Sequence, residues 1–462
     1  MQKNLPPLWS HQQKALEIAG NFFALFFDTG TGKTRTALEL YNKRCWKEGK
    51  TIIVTPLNVC RNWENEINTY VDGEFVAIYH CSGTSKTKKL KAIEEFTYCK
   101  GKHSFLIVNT ECFRSADIKK PLTQTGCCFF IIDEFHNFKT PNSQQTKGLF
   151  DVLSKLRPLY LYLLTGTPAP QGEIDLWTTF LLMGKTDLNF FLWRKKWFDD
   201  KNERRRGTKG YYPEFRVRDS SKLEFRRLLS ECSLTANKNE VLDLPELLRT
   251  NVYAEMSKEQ AQHYNSMKEH LFAADKDGVE VTASNVLART LRLQQILAGF
   301  LDRTPIPSGR LDALKYAIEQ TQGEQFIIWT IFQPTYMQII DLLMKEDIKF
   351  GLLTGEQPQH QRDHWMKEFQ AGRIRALIAH PRAGGVGVNL TAASYSIHYT
   401  KNFNLVDDMQ CEARNYRGGS ERHDRITRID IVTQGTIDED ITFALRNKKS
   451  VQDFILGLKE KA

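Results

Sequence analysis

Short, almost purely apolar runs separated by amphipathic stretches dominate the first third of the chain. Phe22–Phe27 (FFALFF), Thr51–Thr55 (TIIVT), Ser104–Val108 (SFLIV), Cys128–Ile132 (CFFII) and Leu159–Leu164 (LYLYLL) are the main ones. Strands buried on both faces read this way, and parallel sheets bury both faces. The pattern returns late in the chain. Gln325–Thr330, Phe350–Thr354, Arg375–His380, Tyr395–Thr400 and Arg428–Thr433 are strand-like, and helical stretches near Tyr336–Lys345, Gln361–Gln370 and Val406–Arg417 separate them. The alternation predicts two α/β domains with parallel sheets. Between them, helical, charged sequence carries Trp177, Trp193, Trp197, Tyr211 and Tyr212 among Arg and Lys. The expected division is 1–172 and 307–462 for the α/β domains and 173–306 for a helical, basic insertion.

Composition narrows the class. A chain of 462 residues, 41% hydrophobic and 26% charged, has room for two to four domains and is not a disordered, collagen-like or disulfide-scaffold protein. No apolar run approaches the roughly 18 residues that span a bilayer, so no membrane partner is expected. MQKNLPPLWSHQQK lacks the apolar core of a secretory signal. The nine cysteines include no C-x-x-C pair, which predicts reduced thiols and a cytoplasmic protein. The net charge of +9 is concentrated: Lys185–Ser230 holds 14 basic and 7 acidic side chains. On charge alone a solvated face is the favoured reading, with a polyanion footprint as the alternative.

The candidate chemistry begins at Asp28-Thr29-Gly30-Thr31-Gly32-Lys33-Thr34, which follows the apolar run Phe22–Phe27 and opens a predicted helix, Lys33–Arg44. Glycines let backbone N–H groups approach phosphates, and the helix N-terminus adds its dipole. Lys33 would reach the β- and γ-phosphates, and the Thr34 hydroxyl would ligate Mg²⁺. The strict phosphate-loop pattern has glycine where this chain has Phe27. About a hundred residues on, Asp133-Glu134-Phe135-His136 follows CCFFII. Asp133 suits Mg²⁺, directly or through water, and Glu134 suits activation of the attacking water. Leu164-Thr165-Gly166-Thr167-Pro168 ends the next predicted strand.

With these residues in hand, the sequence resembles the superfamily 2 helicases, and within them the Snf2-like DNA translocases. Leu8–Gln12 resembles the adenine-reading segment, residues 28–34 motif I, and Thr55-Pro56-Leu57 with Asn62-Trp63 motif Ia. Asp133–His136 resembles the D-E-x-H box and Leu164–Pro168 motif III. Leu242–Pro245 with Met256–Gln260 is similar to the segment joining the lobes. Ala383–Ala393 resembles motif V, Gln410–Arg417 motif VI and Thr433–Glu439 the closing segment. The resemblance implies two RecA-like lobes with ATP and Mg²⁺ between them. It implies that Gln12, Thr29, Gly30, Thr31, Gly32, Lys33 and Thr34 hold the nucleotide, with Gly385 and Gly387 from the second lobe. Arg414 and Arg417 would meet the γ-phosphate. DNA would be gripped through Thr55, Pro56, Asn109, Thr110, Lys139, Thr354, Gly355, Arg382 and Gly384. Phe27 and Phe135 are bulkier than the residues usual at their positions. Leu234–Lys238 replaces paired arginines usual before the joining segment.

The insertion resembles the compact one of the fork-remodelling branch, and small motors of this type are typical of phage genomes. The expected function is therefore ATP-dependent remodelling of forked or branched DNA by a monomer, alongside replication or recombination proteins. The expected setting is the cytoplasm of a bacterium or a phage-infected host. Arg204, Arg205, Arg206, Tyr211 and Tyr212 are the candidate contacts to the branch point, an even choice against an ordinary loop. A remodeller that strips proteins from duplex DNA and a degenerate DNA-binding scaffold are the alternatives. Trp193 and Trp197 are expected in the core.

Overall fold

Phe22–Phe27 forms β1, buried at every position but the first. Gly49–Thr55 (β2), Val76–Cys81 (β3), His103–Asn109 (β4), Phe129–Ile132 (β5) and Tyr160–Leu164 (β6) follow. Phe198–Asp200 (β7) and Phe215–Val217 (β8) form a small antiparallel pair, and Ser233–Ala236 (β9) completes the first set. This is a computed structural model, and it describes residues 5–45, 49–71, 76–99, 103–203, 214–276, 283–383 and 389–455. The first sheet is wholly parallel in the order β3-β4-β2-β5-β6-β1-β9. That order sets β2, β5, β6 and β1 side by side, so the loops leaving their C-terminal ends share one crevice, where open parallel sheets bind ligands.

A second parallel sheet is built from Glu246–Ala254 (β10), Phe326–Trp329 (β13), Phe350–Leu353 (β14), Ala376–Ala379 (β15), Tyr395–His398 (β16) and Arg425–Thr433 (β17), in the order β10-β17-β16-β13-β15-β14. Phe300–Leu301 (β11) and Thr304–Pro305 (β12) make a separate two-stranded pair. The chain divides into two compact units after Leu242, the second running from Asp243 to Asn447. The fold is thus α/β with two parallel-sheet, RecA-like lobes. The stretch 173–306 is shared between them: β9 extends the first sheet and β10 the second.

Within the first unit, Trp193 and Trp197 lie in the core with Phe180, Phe198 and Phe225, as expected of a helix packed on the lobe. Much of the described charge around them is paired. Lys185 bonds Glu231, Arg216 bonds Glu214, Arg218 bonds Asp199 and Lys222 bonds Asp219. Arg194 stacks on Phe215 at 4.5 Å. Among the described residues, no helix is long and apolar enough to cross a membrane.

Candidate active site

The phosphate loop leaves β1 at Asp28, with Gly30 at φ 89° and Gly32 at φ 80°. These left-handed angles suit glycine, which lacks the Cβ that would clash. At Gly32 the restriction is doubled, because a Cβ would lie 2.4 Å from Gln12 Nε2. Gln12 is buried against the loop and donates to the Gly32 carbonyl (3.3 Å), while its Oε1 accepts from Trp9 N (2.9 Å). His11 Nε2 lies 2.8 Å from the Thr31 carbonyl. Burial lowers the His11 pKa, against a smaller upward effect of that bond. The helix Lys33–Arg44 starts where the sequence places it, and Lys33 Nζ donates to the Phe27 carbonyl (2.8 Å).

Phe27 has a packing role. As the last residue of β1 it is fully buried and meets the His11 ring edge-on at 5.0 Å. Asp28 is held by the segment that departs from the paired arginines: its N–H donates to the Ala236 carbonyl (2.9 Å), and its Oδ2 accepts from Lys238 N (3.1 Å). Here backbone groups of 236–238 buttress the start of the loop.

Asp133 and Glu134 leave β5, next to β6 and one strand from β1. Asp133 Oδ2 accepts from Trp63 Nε1 (2.9 Å) and Thr55 Oγ1 (3.4 Å), and Oδ1 accepts from Glu134 N (2.9 Å). Burial, then the adjacent Glu134 charge, pushes the Asp133 carboxyl up to about 6, against the Trp63 bond and the Lys33 charge. Thr34 and Asp133 are hard oxygen donors of the kind Mg²⁺ takes, and Mg²⁺ commonly needs only one or two such ligands beside substrate phosphates. Glu134 sits at φ 48°, ψ 50°, a left-handed conformation that a non-glycine residue adopts at a cost of order 1–3 kcal/mol and that clusters at active sites. Phe135 points into the core and stacks near Phe138.

His136 joins the carboxylates to the next strand end. Its Nδ1 lies 3.3 Å from Glu134 Oε2 and 3.1 Å from both Thr165 Oγ1 and Thr167 Oγ1. Gly166 is pressed against the phosphate loop, where a Cβ would lie 3.2 Å from the Phe27 carbonyl and 3.4 Å from Lys33 Nζ. His136 thus bridges the carboxylates and the 164–168 turn, and Gly166 of that turn lies close against the phosphate loop. The ties of Trp63 and Thr55 to Asp133 were not predicted; no spacing rule pairs residues 70 and 78 positions apart.

The DNA candidates fall into two sets. Thr55, Asn109, Thr110 and Thr354 are buried. Asn109 Oδ1 accepts from Cys112 Sγ, and Lys139 Nζ pairs with Asp175 at 3.4 Å. Pro56 is half-buried, and Gly355 and Arg382 are exposed. Arg382 Nε lies 3.6 Å from Asp407 Oδ2. Gly384, Gly385, Gly387, Arg204, Arg205, Arg206, Tyr211 and Tyr212 lie outside the described residues. In the second unit the helix Leu405–Asn415 carries Arg414, which is buried and whose carbonyl accepts from Leu390 N (3.0 Å). The helix ends before Arg417, which is half-buried.

A phosphate loop, a strand-end Asp-Glu pair and two parallel-sheet lobes define the RecA-like nucleotide-binding class. The SNF2-related domain matches residues 19–299 and the helicase conserved C-terminal domain residues 309–419. The chain belongs to the SNF2-related family. It is similar to a putative ATP-dependent helicase/translocase, YwqA, of Bacillus subtilis, with 27% identity covering 93% of this chain and 46% of that protein. It is also similar to the CHD3-type chromatin-remodeling factor CHR7 of Arabidopsis thaliana, with 26% identity covering 88% of this chain and 33% of that protein. The chain spans less than half the length of these relatives. Among solved structures, the Sulfolobus solfataricus SWI2/SNF2 ATPase core in complex with dsDNA is 22% identical, with a TM-score of 0.42, over 98% of this chain and 93% of that one.

Proposed function

We propose that the chain is an ATP-dependent DNA translocase that remodels forks or junctions by branch migration. The observation that carries the ATPase part is that the phosphate loop, Asp133-Glu134 and the 164–168 turn leave the neighbouring strands β1, β5 and β6, with His136 bridging the carboxylates and the turn. Gln12 reads the adenine, and loop N–H groups with Lys33 hold the phosphates. Thr34 and Asp133 would hold Mg²⁺, which when bound neutralises phosphate charge. Glu134 orients a water and takes its proton as the water oxygen bonds the γ-phosphorus and the bond to the β-phosphate oxygen breaks, leaving ADP and phosphate. Arg414 and Arg417 stabilise the charge on the transferring group. His136, bonded toward Thr165 and Thr167, links the state of that site to the neighbouring turn.

Translocation needs sequence-independent grip on the phosphate backbone. Thr55, Pro56, Asn109, Thr110, Lys139, Thr354, Gly355, Arg382 and Gly384 serve it in this reading. Arg204–Arg206 with Tyr211 and Tyr212 take the branch point, where base stacking is worth about 1–3 kcal/mol per base. A monomer working in the cytoplasm with replication or recombination proteins completes the proposal. The similarity to a chromatin-remodelling factor favours a second reading, displacement of proteins from duplex DNA.

ATPase rates on single-stranded DNA, duplex, fork, four-way junction and RNA test the choice. Fork and junction are expected to stimulate most. Replacing Arg204, Arg205 and Arg206 with Ala is expected to remove that preference, flatten the salt dependence of junction binding and spare duplex-stimulated ATPase. Equal branch migration by the triple variant would remove the insertion from branch recognition.

A further inference from the structure

The helix Leu405–Asn415 presents Asp408 and Glu412, four residues apart, to the edge of the second sheet. Arg428 on β17 donates to Asp408 through Nη2 (2.6 Å), and its Nη1 lies 3.4 Å from Glu412 Oε2. Its Nε donates to Asp430 (3.0 Å), whose other oxygen pairs with Lys401 Nζ at 3.1 Å. His398 lies among these groups, and its pKa is held down to about 3 by burial, then by the Arg428 charge. A second arginine reaches the same helix from the outermost strand. Arg249 on β10 donates to both oxygens of Glu412, Nε to Oε2 and Nη2 to Oε1, each at 2.9 Å. Two parallel N–H···O bonds fix orientation as well as distance.

The two arginines differ in consequence. Arg428 is almost fully buried among three carboxylates, and its loss would strand buried charge at a cost that unfolds proteins. Arg249 is 44% exposed in its side chain, and without it Glu412 keeps Arg428 nearby. Arg249 is thus spare for folding, yet it grips the helix two residues before Arg414 and five before Arg417. It also lies on the strand that begins three residues after Asp243, the first residue of the second unit, and pairs with β17 along nine positions.

We propose that Arg249 is a positioning residue: through Glu412 it sets the helix that presents Arg414 and Arg417, and it ties that helix to the strand entering from the joint between units. This rests on the reading of those two arginines as γ-phosphate contacts. Arg428 already forks onto Asp408, Nη2 at 2.6 Å and Nη1 at 3.1 Å, one turn earlier; the Arg249 fork on Glu412 adds a second two-bond hold nearer the helix end, where Arg428 reaches Glu412 only at 3.4 Å. The pair is the direct side-chain link from β10 to that helix, beside the route through β17 and Arg428.

The test measures steady-state ATPase of the full chain with saturating duplex DNA for Arg249→Met, Arg249→Lys and Arg417→Ala, with melting temperatures for each. Small displacements of catalytic groups lower rates strongly, so Arg249→Met is expected to lower kcat on the order of tenfold. Its KM for ATP should stay within about twofold and its melting temperature near the parent's, because nucleotide binding and the core are untouched. Arg249→Lys should recover part of kcat, since one charged bond to Glu412 returns. Parental kcat in Arg249→Met beside an inactive Arg417→Ala overturns the positioning role and leaves the arginine reading intact. Full activity in Arg417→Ala overturns the reading and the proposal with it. A loss of activity in Arg249→Met that follows a lowered melting temperature makes the pair a structural tie and also overturns the proposal.

Discussion

Glu134→Gln is expected to leave Mg²⁺-ATP bound and to reduce turnover on the order of 10²–10⁴-fold, the usual contribution of a general base. The substitution keeps size and shape, so the left-handed backbone at Glu134 and the His136 contacts to Thr165 and Thr167 should persist. What is lost is the carboxylate that takes the proton of the attacking water. The charge beside Asp133 is lost as well, and that charge helps raise the Asp133 pKa, so retention of Mg²⁺-nucleotide is not put at risk. Equilibrium binding of a fluorescent ATP analogue, measured beside hydrolysis, separates the two effects. Near-parental hydrolysis would assign the water-activating role to another residue.

Arg417→Ala is expected to be the second large loss. Arginines that meet the γ-phosphate are worth roughly 10³–10⁵ in rate. Arg417 lies beyond the end of its helix and is half-buried, so its removal should spare the melting temperature and DNA binding. Arg414 differs. It is almost fully buried in the helix, so Arg414→Ala should lower both hydrolysis and the melting temperature. Hydrolysis and thermal unfolding of the two variants check this together. Full ATPase activity in Arg417→Ala would refute the reading of these arginines as γ-phosphate contacts.

Apart from the edge strand β14, the strands of the two main sheets that could be read from the sequence lie inside a sheet. β1, β2, β4, β5 and β6, and later β13 to β17, are apolar runs that the sequence exposes directly. β3, β9 and β10 were not read, and all three are edge strands. β3 is half-exposed along five of its six residues, β9 is only four residues long, and β10 carries Glu246, Arg249 and Asn251 in a largely exposed run. One buried face or fewer gives no continuous apolar signal. The motif residues follow the same logic. Lys33, Asp133 and Glu134 were legible because their chemistry demands a local spacing after a strand. The bonds of Trp63 and Thr55 to Asp133 and of Arg249 to Glu412 were not, because those partners are chosen by strand order. Phe27 and Phe135, which depart from the usual small residues, fill core space that only the folded packing reveals.

The central claim is that this chain hydrolyses ATP in response to DNA. The most direct measurement is the steady-state ATPase rate of the full chain with Mg²⁺, with and without saturating duplex DNA, with Glu134→Gln as the blank. The account predicts DNA-stimulated hydrolysis well above the Glu134→Gln rate. DNA binding with hydrolysis no higher than that of Glu134→Gln would contradict it and make the chain a scaffold with a degenerate site.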